Sequence, residues 1–176
     1  MKSPIAKNRN IQKTIYYFIF AIVSSGCANE IKIHNTANVS TECNITLSDN
    51  RMNAGLVDLK GDLPTTYGYV EVPFSTIPKV SDLLTNQICS DKQLANSGYH
   101  FELERFYCDA KTRFTYAKGR VELQLSYKTK DGDLKRTYIV STVNIPKDTP
   151  LLEVCSMGIE KVTGDLNSTI KRDASL

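Results

Sequence analysis

From Arg120 to Lys128 the chain alternates without a fault. Val121, Leu123, Leu125 and Tyr127 occupy one parity, and Arg120, Glu122, Gln124, Ser126 and Lys128 the other. A period of two puts successive side chains on opposite faces of a pleated strand, so this segment is a strand with one buried and one wet face. Asp131-Gly132 supplies the residues that a tight hairpin turn demands, and residues 134–143 read as the return strand. The period then changes. Leu151, Cys155, Ile159, Val162, Leu166 and Ile170 come at spacings of 4, 4, 3, 4 and 4, the stripe of one amphipathic helix. Pro150 suits its first turn, with Asp148 or Thr149 as the cap. A sheet with one apolar face and a helix with one apolar stripe can only satisfy both by packing together in layers.

The rest of the chain extends this scheme. Ile77, Val80, Leu84 and Ile88 lie three to four apart, so residues 75–97 read as a helix with Pro78 in its first turn and a break near Cys89 to Asp91. Gly98 is the stop. Phe101 and Leu103 then alternate, whereas Phe106, Cys108 and Ala110 alternate on the other parity, which predicts a bulge between them. Lys118-Gly119-Arg120 reads as a turn between strands. Upstream, residues 43–47 form a strand closed by Ser48-Asp49-Asn50, and residues 55–59 and 69–72 form two short strands. The sum is an α+β fold: a two-layer sandwich of a mainly antiparallel sheet with two helices on one face. The first strand, its crossover helix and the next strand should make a right-handed parallel pair.

The N-terminal segment is of a different kind. Residues 1–26 hold Lys2, Lys7, Arg9 and Lys13, no acidic residue, and an apolar run from Ile15 to Val23. That run has the length of a signal-peptide core and is far short of the ~20 residues that span a bilayer. Ser24-Ser25-Gly26 leads into Cys27, and a Cys directly after Gly resembles the lipobox of bacterial lipoproteins. The resemblance implies cleavage before Cys27, acylation of that residue with palmitate-like chains, and durable attachment. Ala28 after the Cys resembles sorting to the outer membrane, with the domain in the periplasm. The expected division is a signal peptide over 1–26, a tether over 27–42, one domain over 43–170 and a frayed tail over 171–176. Of the 22 cations, four lie in the leader, so the chain from Cys27 onward carries a net charge of −1 and nucleic acid loses its main support as a partner.

Cys43, Cys89, Cys108 and Cys155 remain, an even number that reads as two disulfides in an exported domain. Intervening lengths of 45, 18 and 46 residues, with His34 and His100 isolated, are not the spacing of a metal site. If the first strand runs upward, Cys43 lies at its bottom and the descending helix brings Cys89 there too. Cys108 and the start of the last helix, near Cys155, share the top. Cys43–Cys89 with Cys108–Cys155 is therefore the favoured pairing of the three possible.

Several features together resemble one family: the lipobox, the strand ending in Thr46-Leu47-Ser48-Asp49-Asn50-Arg51, the helix closing in Ser97-Gly98-Tyr99, and the hairpin with Lys135-Arg136-Thr137-Tyr138. They look like the YajG-type envelope lipoproteins, over roughly residues 45–170, and the layout is similar to accessory lipoproteins such as PqiC and LptE. The resemblance implies a fold and an address, and no catalytic residues. The four cysteines depart from what that family leads one to expect.

The search for chemistry leaves little. No Gly-rich phosphate loop and no G-x-S-x-G motif occurs, and neither His has a nucleophile beside it. Glu102 and Glu104 share a strand face but read as solvated, and Asp49 with Arg51 reads as a structural turn. The one uneven charge distribution runs from Lys111 to Arg136, eight cations against Glu122, Asp131 and Asp133. Arg120, Lys128, Lys130 and Arg136 are its candidate face for an anionic lipid or an acidic protein partner, with Glu122 in the middle opposing it. The expectation is a non-enzymatic outer-membrane lipoprotein, without cofactor or metal, that acts by binding in an envelope assembly or lipid-transport system. The alternative is a surface defence protein, a lysozyme inhibitor or a phage-encoded exclusion lipoprotein, presenting residues 58–68 as a protruding loop.

Overall fold

A computed structural model describes residues 30–33, 42–62, 69–112 and 114–175, the side chains of 60–62 and 69–72 excepted. The strands are β1 (Glu30–Lys32), β2 (Thr46–Ser48), β3 (Val57–Asp62), β4 (Tyr69–Ile77), β5 (His100–Thr112), β6 (Tyr116–Lys128) and β7 (Leu134–Pro146). The helices are α1 (Val80–Cys89), the single turn α2 (Lys92–Ala95), α3 (Leu151–Gly164) and α4 (Leu166–Ala174). The sheet runs β1-β4-β3-β5-β6-β7, with β2 beside β5. The long ladders β5/β6, β6/β7 and β3/β4 are antiparallel, whereas β1/β4, β2/β5 and β3/β5 are parallel. The fold is α+β as expected, with the parallel pair between first strand and post-helix strand present as β2/β5; β3 and β4 intervene in sequence.

The core lies between the sheet and the helices. Phe101, Leu103, Phe106, Leu123, Leu125 and Tyr127 from the central strands meet Leu83, Leu84 and Ile88 of α1 and Cys155, Ile159, Val162, Leu166 and Ile170 of α3 and α4. The predicted bulge is at Glu104, where the register passes from Leu103 opposite Leu125 to Arg105 opposite Gln124. One extra residue there switches parity, so Phe106, Cys108 and Ala110 stay on the core side.

Local competition moved several boundaries. Ser75, Thr76 and Ile77 do not begin the helix; they end β4 and pair with β1. A residue before proline is driven to extended backbone, and Ile77 is consequently exposed instead of being the first core position. Neither Asp148 nor Thr149 caps α3, because Pro150 itself takes the N-cap position with extended backbone and offers no side-chain acceptor. Asp165 divides the C-terminal stripe into α3 and α4, so three helices and one extra turn cover the sheet where two were expected. The stripe survives because both helices keep the same face on the core.

Lys118-Gly119-Arg120 is no turn but lies inside β6. Its glycine is there for close approach: a Cβ on Gly119 would stand 2.5 Å from Val154 Cγ1 of α3. Gly158 does the converse, its absent Cβ leaving room for Val121 of β6. The two apolar residues of the tether region, Ile31 and Ile33, suit one edge strand, and they are buried where β1 pairs with β4. The tail expected to fray from Lys171 is instead helical, since α4 continues past Ile170 to Ala174, with Lys171 Nζ 2.6 Å from Asp91.

Candidate functional site: the open face of the sheet

Both disulfides form in the favoured pairing. Cys43 precedes β2 and meets Cys89 at the end of α1, Cα atoms 5.6 Å apart; Cys108 on the core face of β5 meets Cys155 in the first turns of α3 at 5.8 Å. Cys27, the expected lipidation site, lies outside the described residues, as does His34.

The helices cover one face of the sheet and leave the other open, and polar chemistry gathers on that open face. Register places Tyr107 of β5, Glu122 of β6 and Val140 of β7 in one row, flanked by Arg105, Gln124 and Tyr138 in the next. Glu122 is only 2% exposed although no helix lies over it. Its cover is its own ligands. Arg120 Nη2 stands 2.8 Å from one carboxylate oxygen and Arg105 Nη1 3.3 Å from the other. Tyr107 and Tyr138 donate their hydroxyls to the same group. Burial alone would push the Glu122 carboxyl up, but these donors and the Arg120 charge outweigh it and hold it below the usual range. The response is seen in the donors: burial and the Glu122 carboxylate push the Tyr107 hydroxyl up to about 12, and the hydrogen bond to Glu122 raises Tyr138.

This changes what the candidate cations can do. Arg120 is committed to Glu122, and Arg136 has its Nε 3.3 Å from Glu104, which Gln124 also engages. Both guanidinium groups remain at least half exposed, so they are anchored and still reachable. Lys128 shares their face at the end of β6, opposite Leu134 and His100. Lys130 does not join them. It sits in the hairpin turn beside Gly98, at a cleft of about 500 Å³ that Asn96, Tyr99, Asp133 and Lys135 also line. Three of the four thus share a face whose charge carboxylates partly cancel, and the fourth belongs to the turn.

The remaining candidates resolve into structure. Asp49 binds the Arg51 guanidinium through both oxygens, at 2.8 and 2.7 Å, and accepts the Gly55 amide at 2.8 Å. Arg51 in turn donates to the carbonyls of Leu56 and Phe106, tying the β2–β3 loop to β5. Burial opposes ionisation of Asp49, yet the Arg51 hydrogen bonds and charge and the Gly55 amide hold its carboxyl below the ordinary value. Glu102 accepts from Asn50, and exposed His100 bonds Thr46. The expected protruding loop begins inside the sheet, since residues 58–62 belong to β3; residues 63–68 lie outside the described ones. Between the β2–β3 loop and β5 the open face is hollowed into a cleft of about 520 Å³, lined by Met52, Asn53, Asp58, Pro73, Arg105 and Tyr107. No group of three or more metal-ligating side chains occurs among the described residues.

The Glu122 cluster is the element that the sequence did not disclose. Its signal was faint: an acid in mid-strand on the polar parity, with Tyr107 and Tyr138 on the same parity of the neighbouring strands. Only the register brings them together.

No family model matches the chain, and no curated protein matches it. Among solved structures it is similar to a Xanthomonas campestris protein of the DUF330 family, at 14% identity and a TM-score of 0.43, over 85% of this chain and all of that one. It is also similar to a minor lipoprotein from Acinetobacter baumannii, at 16% identity and a TM-score of 0.37, over 65% of this chain and 87% of that one.

Proposed function

We propose that the protein is a lipid-anchored, non-enzymatic component of a bacterial envelope that acts by binding, with acylated Cys27 as anchor and the open sheet face as docking surface. The observation that carries this is the pair of disulfides, both closed within the fold with Cys89, Cys108 and Cys155 buried. Disulfides of this kind belong to an oxidising compartment. The leader that ends in Gly26-Cys27 supplies the route there. The open face adds the binding capacity: Arg105, Arg120 and Arg136 are held by carboxylates with half or more of each side chain still wet. Planar donors fixed in this way lose less entropy on meeting a phosphate or a carboxylate.

Two measurements test the reading. Metabolic labelling with a palmitate analogue should mark the wild-type chain and leave Cys27→Ser unlabelled; label retained by that variant removes the anchor. Crosslinking intact cells and recovering the full chain in mild detergent should yield a stoichiometric envelope protein or an enriched anionic lipid. Reversing Lys128 and Arg136 to Glu should abolish that recovery, with the circular dichroism spectrum unchanged. Recovery that persists in the double variant excludes this face.

A further inference from the structure

Among the described residues β7 pairs with β6 alone, along all 13 of its residues. At ~3.4 Å per residue its free edge offers about 44 Å of backbone donors and acceptors. Long edges normally carry a guard, a central charge, a proline or a bulge that prevents another strand from pairing. From Thr137 to Ile145 β7 has no charged residue, no proline and no register shift against β6. Lys135 and Arg136 crowd one end, and Pro146 closes the other.

We propose that this edge pairs antiparallel with β7 of a second copy across a two-fold axis, joining the two sheets edge to edge. Directly opposed residues of an antiparallel pair point to the same face, so such an axis must set one residue against itself. Val140 is the middle residue of β7 and is 41% exposed on the open face. Centring there uses the whole edge, and the ends then match. Leu134, 59% exposed, falls opposite the copy's Pro146, beside the apolar corner formed with Tyr116 and Ile145. Asp133 falls opposite the copy's Lys147, and both are exposed. The cationic end meets the uncharged residues Asn144 and Ile145. Parallel pairing would instead set Lys135 and Arg136 beside their own copies. Charge and shape therefore select a second copy in the antiparallel sense.

The test is the mass of the full chain in detergent, by sedimentation with the micelle density-matched. Two chains are expected. Val140→Lys sets two ammonium groups face to face at the axis and should return single chains with an unchanged circular dichroism spectrum. Asp133→Lys and Lys147→Asp should each weaken the dimer by roughly tenfold, because the two-fold repeats each repulsion, and the double exchange should restore it. Single chains for the wild type at about 100 micromolar, where a dimer of micromolar Kd is almost fully formed, overturn the proposal. So does a Val140→Lys variant that remains paired, since two anchors sharing a micelle would produce that result. Should Val140→Lys fail to fold, the exchange series decides alone: both of its positions lie outside the strand, and absence of rescue refutes the register.

Discussion

Gly158 and Gly164 lie in the same helix, yet replacing each by alanine should move stability in opposite directions. Alanine is favoured over glycine in a helix interior by about 1 kcal/mol, so propensity alone predicts a gain of that size at Gly158 and a smaller one at Gly164, the last residue of the helix. At Gly164 nothing lies within 4 Å of the added Cβ, and the gain should be expressed. At Gly158 the same carbon would stand 2.5 Å from Val121 Cγ2, with Val143 Cγ2 at 3.3 Å. Ordinary carbon contacts are ~3.5–4.0 Å, so α3 must lift about 1 Å from β6 or Val121 must leave its rotamer. Val121 is fully buried and branched at Cβ, which closes the second route. Lifting α3 loosens Val154, Cys155, Ile159 and Val162 together, and overpacking of this degree costs roughly 3 kcal/mol, the upper end of its range. After the propensity gain, Gly158→Ala should lose about 2 kcal/mol and Gly164→Ala should gain less than about 1 kcal/mol. In a domain of this size the former lowers Tm by about 4–8 °C and the latter raises it by at most about 2–4 °C. Denaturant titration with the disulfides intact reads both. A Gly158→Ala protein as stable as the wild type would refute the claim that the helix layer rests directly on β6.

Arg51→Ala should destabilise by about 3–5 kcal/mol, since it leaves the Asp49 carboxylate and two carbonyls without their buried partner. The folded-state pKa of Asp49 is depressed, so its contribution is complete above the unfolded-state value and disappears as pH falls through the folded one. Stability measured from pH 6 to pH 2 should therefore fall less steeply in Arg51→Ala than in the wild type; parallel curves would remove Asp49 as the source. Replacing Cys108 and Cys155 by Ala should cost about 4 kcal/mol in the chain-entropy description of a loop of this length. A melt within a degree of the wild type would contradict that pairing, which non-reducing peptide mapping checks directly. Burial raises the Tyr107 hydroxyl most and the Glu122 carboxylate adds to it, so Glu122→Gln removes the second cause only, and spectrophotometric titration should find one tyrosine moving down from about 12. An unchanged titration would place Tyr107 outside the cluster.

How much was legible beforehand depends on the range of each signal. The β6 alternation, the Asp131-Gly132 turn, the parity change at Glu104 and the C-terminal apolar stripe are all patterns within about twenty residues, and each has its counterpart in the structure. Where such patterns failed, a neighbouring rule was stronger. Pro78 overrode the helical spacing of Ile77, and Pro150 displaced the polar caps in front of α3. Gly119 misled for a different reason. Glycine marks turns and close approaches alike, and only Val154, 35 residues onward, distinguishes them.

By itself the sequence determined the α+β class and the helix and strand faces, and through the direction in which each element runs it favoured the cysteine pairing that the structure shows. These depend on side-chain periods of two and 3.6 and on chain direction, all carried by adjacent residues. The tertiary structure alone decided the strand order, the further parallel pairs β1/β4 and β3/β5, the burial of Glu122 beneath two arginines and two tyrosines, and the bare edge of β7. Those rest on which distant strands lie side by side and in what register. Many orders would bury the same apolar faces, so periodicity cannot choose among them; side-chain contact between strands tens of residues apart does.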